Sequence, residues 1–215
     1  MDTTTLAITL SASEDSLKGL LPLLQHGVEV AVDPGLTVSS LLTEHYSIDS
    51  LYAKHFISTI FLDGKPVDDP GSATLRDGAT LALSGAMPGL VGAVLRSGSV
   101  LGSFRHSITH HDDGADGGAG RVTLRVKLFN RVMRETGAAF LFRGITLPRA
   151  LLADHLAGMD ESFWKGIISA DADGTPLEPD ALREMVLRPE AEKVFLRASA
   201  EGVSGYPSPP GKTPP

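Results

Sequence analysis

Hydrophobic and polar residues alternate along three stretches in a way that predicts half-buried strands. Near the start, Leu6, Ile8 and Leu10 alternate with Ala7 and Thr9. Val28, Val30 and Val32 follow, with Glu29 and Asp33 opposed. In the second half Val122, Leu124, Val126 and Leu128 alternate with Thr123, Arg125 and Lys127, and Ala139 to Phe142 reads as the strand after it. The period then changes to three and four. Thr37 is placed to cap a helix that buries Val38, Leu41, Leu42 and His45, because its hydroxyl can accept from a free N–H of the first turn. Thr146 is placed the same way, with Pro148 in the first turn and Leu147, Leu151, Leu152, His155 and Leu156 on the inner face. Two apolar runs, Ile57 to Leu62 and Gly166 to Ala170, lead into Asp63-Gly64 and Asp173-Gly174, and Asp-Gly after such a run predicts a tight turn. Ala79 to Leu83 and Lys193 to Leu196 are the last strands.

These elements repeat. At one offset of 110 residues, Gly27 meets Gly137, Leu41–His45 meets Leu151–His155, and Asp63–Asp68 meets Asp173–Glu178. Three matches in order at one offset indicate two copies of one unit. The order in each copy reads β-β-α-β-β. A helix and a small sheet each have one apolar face, and each buries it on the other. The expected fold class is α+β, as two ubiquitin-like β-grasp domains in tandem. Copy one is assigned to residues 1–88, an apolar insertion and linker to 89–120, copy two to 121–202, and a Pro-rich tail to 203–215.

The residues also resemble a family. Val126-Lys127-Leu128-Phe129-Asn130-Arg131-Val132-Met133-Arg134-Glu135-Thr136-Gly137 is similar to the opening strand and loop of the small subunit of molybdopterin synthase. Ile145-Thr146-Leu147 resembles that family's helix entry, and Leu75-Arg76-Asp77-Gly78-Ala79-Thr80-Leu81-Ala82-Leu83 resembles the segment before its C-terminal tail. The thiamine-pathway sulfur carrier shares this layout. The resemblance implies a sulfur carrier whose C-terminal Gly-Gly is adenylated and thiocarboxylated. In this sequence the sole Gly-Gly, Gly117-Gly118, lies between the copies, and copy two runs through Glu201-Gly202-Val203 into the Pro-rich segment.

Composition narrows the chemistry. Among 215 residues there is no Cys, which excludes disulfides, a cysteine nucleophile and thiolate-bound zinc or iron–sulfur clusters. The net charge of -7 lies wholly in the first half, where Met1 to Leu95 hold 11 Asp/Glu against 4 Lys/Arg, while the remainder holds 15 of each. An acidic chain is poorly suited to sequence-independent nucleic-acid binding, so no nucleic-acid partner is expected. The acidic half either keeps the protein soluble or docks a basic partner. No apolar run reaches the ~20 residues of a membrane span and no signal peptide is legible, so no membrane association and a cytoplasmic location are expected.

Two segments are candidates for function. Leu90, Val91, Val94, Leu95, Leu101 and Phe104 are very apolar for a linker. They either pack between the copies or offer an apolar surface to a protein partner or a second subunit. His106, His110 and His111 beside Asp112 and Asp113 are the densest group of metal-ligand types, in a segment whose Gly and Asp content also fits a solvated linker. His45 and His155 each follow an acid, yet adjacent helix residues do not face each other, which favours packing. No nucleophile elbow or phosphate-binding loop is present. The expectation is therefore no catalytic residues, no cofactor and no enzymatic activity. The chain reads as a ubiquitin-like protein-interaction module, with a sulfur carrier or a weak metal binder as alternatives.

Overall fold

The structure, a computed structural model, describes residues 5–85, 120–186 and 192–201. The chain is a mixed α/β protein. Its described residues form one ten-stranded sheet and seven α-helices. The first half contains β1 (Thr5–Ala12), α1 (Glu14–Leu20), a 3-10 helix (Leu21–Gln25), β2 (Val28–Val32), α2 (Val38–Ser40), a π-helical turn (Leu41–His45), α3 (Ser50–Phe56), β3 (Thr59–Leu62), β4 (Lys65–Pro66) and β5 (Thr80–Ser84). The second half contains β6 (Val122–Leu128), α4 (Asn130–Arg143), β7 (Ile145–Pro148), α5 (Arg149–Ala157), α6 (Glu161–Lys165), β8 (Ile167–Ala172), β9 (Thr175–Leu177), α7 (Pro179–Val186) and β10 (Lys193–Ala200).

The sheet order is β4-β3-β5-β6-β2-β7-β10-β1-β8-β9. Strands from the two halves of the chain are thus interleaved. β6 lies between β5 and β2, parallel to β5 and antiparallel to β2. β1 lies between β10 and β8, parallel to β10 through eight pairs and antiparallel to β8. The five strands β4-β3-β5-β6-β2 and the five strands β9-β8-β1-β10-β7 therefore share one pairing pattern, with a single parallel pair at the fourth and third positions from either outer edge. The two sets meet at β2 and β7 through one pair, Glu29 with Thr146.

The first two strands of the expected β-β-α-β-β order are not consecutive in either half. β1 and β2 are separated by α1 and the 3-10 helix, and β6 and β7 by α4. Leu17, Leu20, Leu21 and Leu24 bury a helical face in the first of these connections, so it crosses the sheet as a helix and carries β1 away from β2. Ala139 to Phe142 is the last turn of α4, not a strand. Val132, Met133, Thr136, Ala139 and Phe140 bury one side of that helix at spacings of three and four, and Asn130 to Gly137 is helical where the resemblance implies a loop. Thr146 does not cap the next helix. Ile145 and Leu147 alternate inward on β7, which forms four pairs with β10, and helix α5 begins only after Pro148. Gly137 packs within α4 against Leu21 and Leu24, where an added Cβ would lie 2.8 Å from a methyl of each. It does not match Gly27; the glycine that precedes β7 as Gly27 precedes β2 is Gly144, with φ of 98° against 90°.

Other local readings agree with the structure. Thr37 and Ser40 form a reciprocal capping box, with the Ser40 N–H donating to Thr37 Oγ1 at 3.2 Å and the Thr37 N–H donating to Ser40 Oγ at 2.8 Å. Both Asp-Gly pairs form turns with positive φ, 50° and 76° at Asp63-Gly64 and 49° and 80° at Asp173-Gly174. Each aspartate then clamps the start of another strand. Asp63 donates its N–H to Thr80 O (2.8 Å) and accepts from the Thr80 N–H (2.7 Å). Asp173 does the same with Ala7, at 2.9 Å in both directions. The same contact thus holds β5 in one set and β1 in the other. Asp63→Ala and Asp173→Ala are each expected to lower stability by about 1 kcal/mol, equally for the two sites. Urea unfolding of the pair checks this, and a loss at only one site would deny the equivalence.

The strands bury alternate residues on one face only. Ile8, Leu10, Val28, Val30, Leu124, Val126, Val194 and Leu196 point into the core, where α1, the 3-10 helix, α4 and α5 cover them. Phe140 of α4 is fully buried and stacks on Tyr46, with ring centroids 3.8 Å apart.

Candidate interaction surface

Helix α3 is held at its start by Asp49, whose carboxylate accepts from the Tyr52 N–H at 2.8 Å. It buries no residue completely. Tyr52 and Ala53 lean on the core, while Leu51 is 65% exposed and Phe56 39% exposed. These are two of the three large apolar side chains most exposed among the described residues.

Helix α4 supplies the other wall. The Arg131 guanidinium lies over the Phe56 ring, 4.2 Å from its centroid, and Phe56 in turn tilts against Tyr52 at 5.1 Å. The Arg131 Nε–H donates to Glu135 Oε1 at 2.7 Å, an i,i+4 pair that fixes the guanidinium over the ring. The neighbouring Tyr52 hydroxyl, and then Arg131, hold the Glu135 carboxyl below the usual carboxylate range. Burial, and then the neighbouring Glu135 carboxylate, push the Tyr52 hydroxyl up, so it stays protonated.

Two concavities flank α3. One of about 240 Å³ is lined by Tyr46, Ile48, Tyr52, Glu135 and Ala139 among others. The other, about 570 Å³, runs past Leu42, Ala53, Lys54, Ile57, Ile60 and Asp68. An exposed aliphatic residue, an aromatic ring stacked by an arginine, and shallow depressions on both sides are the kind of anchors that dominate protein interfaces.

The residues singled out from the sequence fall elsewhere. Leu90, Val91, Val94, Leu95, Leu101 and Phe104 lie outside the described residues, as do His106, His110, His111 and Gly117-Gly118. Among the described residues no group of three His, Asp or Glu could hold a metal ion. No helix among them is long and apolar enough to cross a membrane.

His45 and His155 take structural places. Burial, with Arg143 beside it, lowers His45 from 6.5 to about 4 against the opposing pull of Asp33, so its imidazole is neutral at pH 7. A ring nitrogen of His155, Nε2, is 2.8 Å from Gly19 O and ties α5 to α1. The cluster of serines near α1 and α6 is also structural: Ser13 caps α1, and Ser16 Oγ donates to Phe163 O at 2.9 Å.

Sequence reasoning missed Leu51, Tyr52, Phe56, Arg131 and Glu135. The Asp49-x-x-Tyr52 cap and the Arg131/Glu135 spacing were both visible signals, but the approach of α3 to α4 was not. In comparisons with known proteins, no family model matches the chain, and no curated protein or solved structure matches it.

Proposed function

We propose that this chain is a non-enzymatic protein-interaction module of ubiquitin-like type, built from two β-grasp-like units that each take one strand from the other half of the chain. One unit is β4-β3-β5-β6-β2 with the helical segment 38–45; the other is β9-β8-β1-β10-β7 with α5. The pairing pattern of each set, with its central parallel pair, supports the β-grasp reading, and so do the matched clamps at Asp63 and Asp173. The observation that carries the functional reading is the apolar, arginine-capped face of α3. Such a face binds protein by burying Leu51 and Phe56, without any catalytic group.

The test is capture of partners from the source organism with the intact chain and with Leu51→Asp. Leu51 is mostly exposed, so its variant is expected to keep its thermal stability within about 0.5 kcal/mol. A hot-spot residue contributes about 2 kcal/mol or more, so partner affinity is expected to fall about thirtyfold. A partner held equally by both forms would remove α3 as the docking face. A chain that captures nothing and stays monomeric by native mass measurement would overturn the interaction reading.

A further inference from the structure

The sheet carries its core on one face, and the other face of its six central strands reverses the charge of the chain. On the six central strands, β5, β6, β2, β7, β10 and β1, the outward positions hold Arg125, Lys127, Lys193 and Arg197 against one carboxylate, Glu29. This is a net cationic surface on a protein of charge -7. Arg125 is exposed, as are the outward Thr123, Ala31 and Thr9, so the face meets solvent.

The cations form two walls. Arg125 and Lys127 stand on β6, and Lys193 and Arg197 on β10. Between them run β2 and β7, whose outward residues include Ala31, Thr146 and, just before β2, Gly27, with Glu29 the one long charged side chain of the floor. Gly27 is a structural requirement of the wall, because the aliphatic stems of Lys127 and Arg125 pass 3.0 and 3.2 Å from where a Cβ would be. Three inter-strand steps separate the walls, about 14 Å. This shallow trough follows the seam where the two five-stranded sets meet through the single Glu29–Thr146 pair.

The charges there are unequally engaged. Lys193 Nζ bonds both oxygens of Glu29, at 2.9 and 2.7 Å. Arg125 and Lys127 make no ion pair among the described residues. Arg197 lies over the Phe195 ring, 5.7 Å from its centroid, and Phe195 is packed onto Gly144.

We propose that this trough binds an acidic polypeptide segment in extended conformation, with carboxylates reaching the β6 wall on one side and the β10 wall on the other. The width suits one extended chain laid along the seam. Carboxylates match the unengaged guanidinium and ammonium groups. A single-stranded nucleic acid is disfavoured because the one aromatic ring on these outward positions, Phe195, is covered by Arg197 and seated on Gly144, so it is not offered for base stacking. This surface is separate from α3 and does not depend on the reading of that helix.

The test is fluorescence anisotropy of a labelled Glu-rich peptide with the full chain at low ionic strength, with an oligothymidylate of equal length as a second probe. The intact chain is expected to bind the peptide, and binding is expected to weaken as the Debye length falls below about 10 Å. Arg125→Gln with Lys127→Gln should weaken it at least about tenfold while leaving the thermal melt in place. Glu29→Gln should tighten it severalfold, since it removes the only carboxylate of the floor and releases Lys193. Leu51→Asp should leave it unchanged. Absence of peptide binding, indifference to the Arg125/Lys127 change, tighter binding of the oligonucleotide, or loss of peptide binding in Leu51→Asp would each overturn the proposal.

Discussion

Residues 1–120 and 121–215, expressed as separate fragments, are expected to be unfolded alone and to regain structure on mixing. The reason lies in the sheet. Without β6, β2 loses its five-residue ladder and β5 loses its parallel neighbour. Without β1, β10 and β8 are separated by an empty position in the middle of their set. The connecting helices are shared as well. α4 packs on the 3-10 helix of the first half through Gly137, Leu21 and Leu24, and Phe140 stacks on Tyr46. Each fragment would expose core strands on both sides, and such strands do not persist singly in water. Far-UV circular dichroism of each fragment and of the equimolar mixture checks the expectation. A cooperative thermal transition in either fragment by itself would refute it, and would indicate units that fold independently.

Gly144→Val is expected to lower stability by more than about 3 kcal/mol, by two separate effects. Gly144 ends α4 with φ of 98°, a left-handed backbone that a β-branched residue adopts only with strain. Its N–H also closes the helix onto Phe140 O and Leu141 O, at 3.0 and 3.2 Å, so the backbone cannot relax without opening that end. In addition, a Cβ there would overlap the Phe195 ring. For a chain of this size the melting temperature should fall by about 10 °C. Two further variants separate the causes. Gly35→Ala has the same sign of φ, 80°, and no atom within 4 Å, so it should show strain alone, about 1 kcal/mol. Phe195→Ala combined with Gly144→Ala should recover the overlap but not the strain. Equal melting temperatures for Gly144→Val and Gly35→Ala would show that the ring contact contributes nothing.

Elements whose cause is local were legible in the sequence. The alternation at Leu6–Leu10 and Val122–Leu128 is a period of two, and both segments are strands. The Thr37 cap and the two Asp-Gly turns depend on residues a few positions apart, and all three are in place. The segments that misled are those where a tertiary partner overrides a local signal. Ile145-Thr146-Leu147 has a helix entry pattern, but β10 needs an antiparallel neighbour and takes it as β7. Ala139 to Phe142 is apolar enough for a strand, yet it completes a helical face begun at Val132. The candidate surface was hidden for the same reason. Leu51 and Phe56 belong to one half and Arg131 and Glu135 to the other, and only the crossing of α4 beneath the sheet brings them together.

By itself the sequence determined the strands with a clear period of two, the turns that punctuate them, an acidic first half, and the exclusion of cysteine chemistry. The tertiary structure decided which strand lies beside which. An alternating strand buries one face and offers hydrogen bonds at both edges, so its pattern fits any neighbour of the right polarity. The choice falls to the connections. Two helical crossovers, 13–27 and 129–144, carry β1 and β7 into one set and leave β2 and β6 in the other. That exchange places four cations around the seam and joins α3 to α4, so both candidate surfaces exist only in the folded chain.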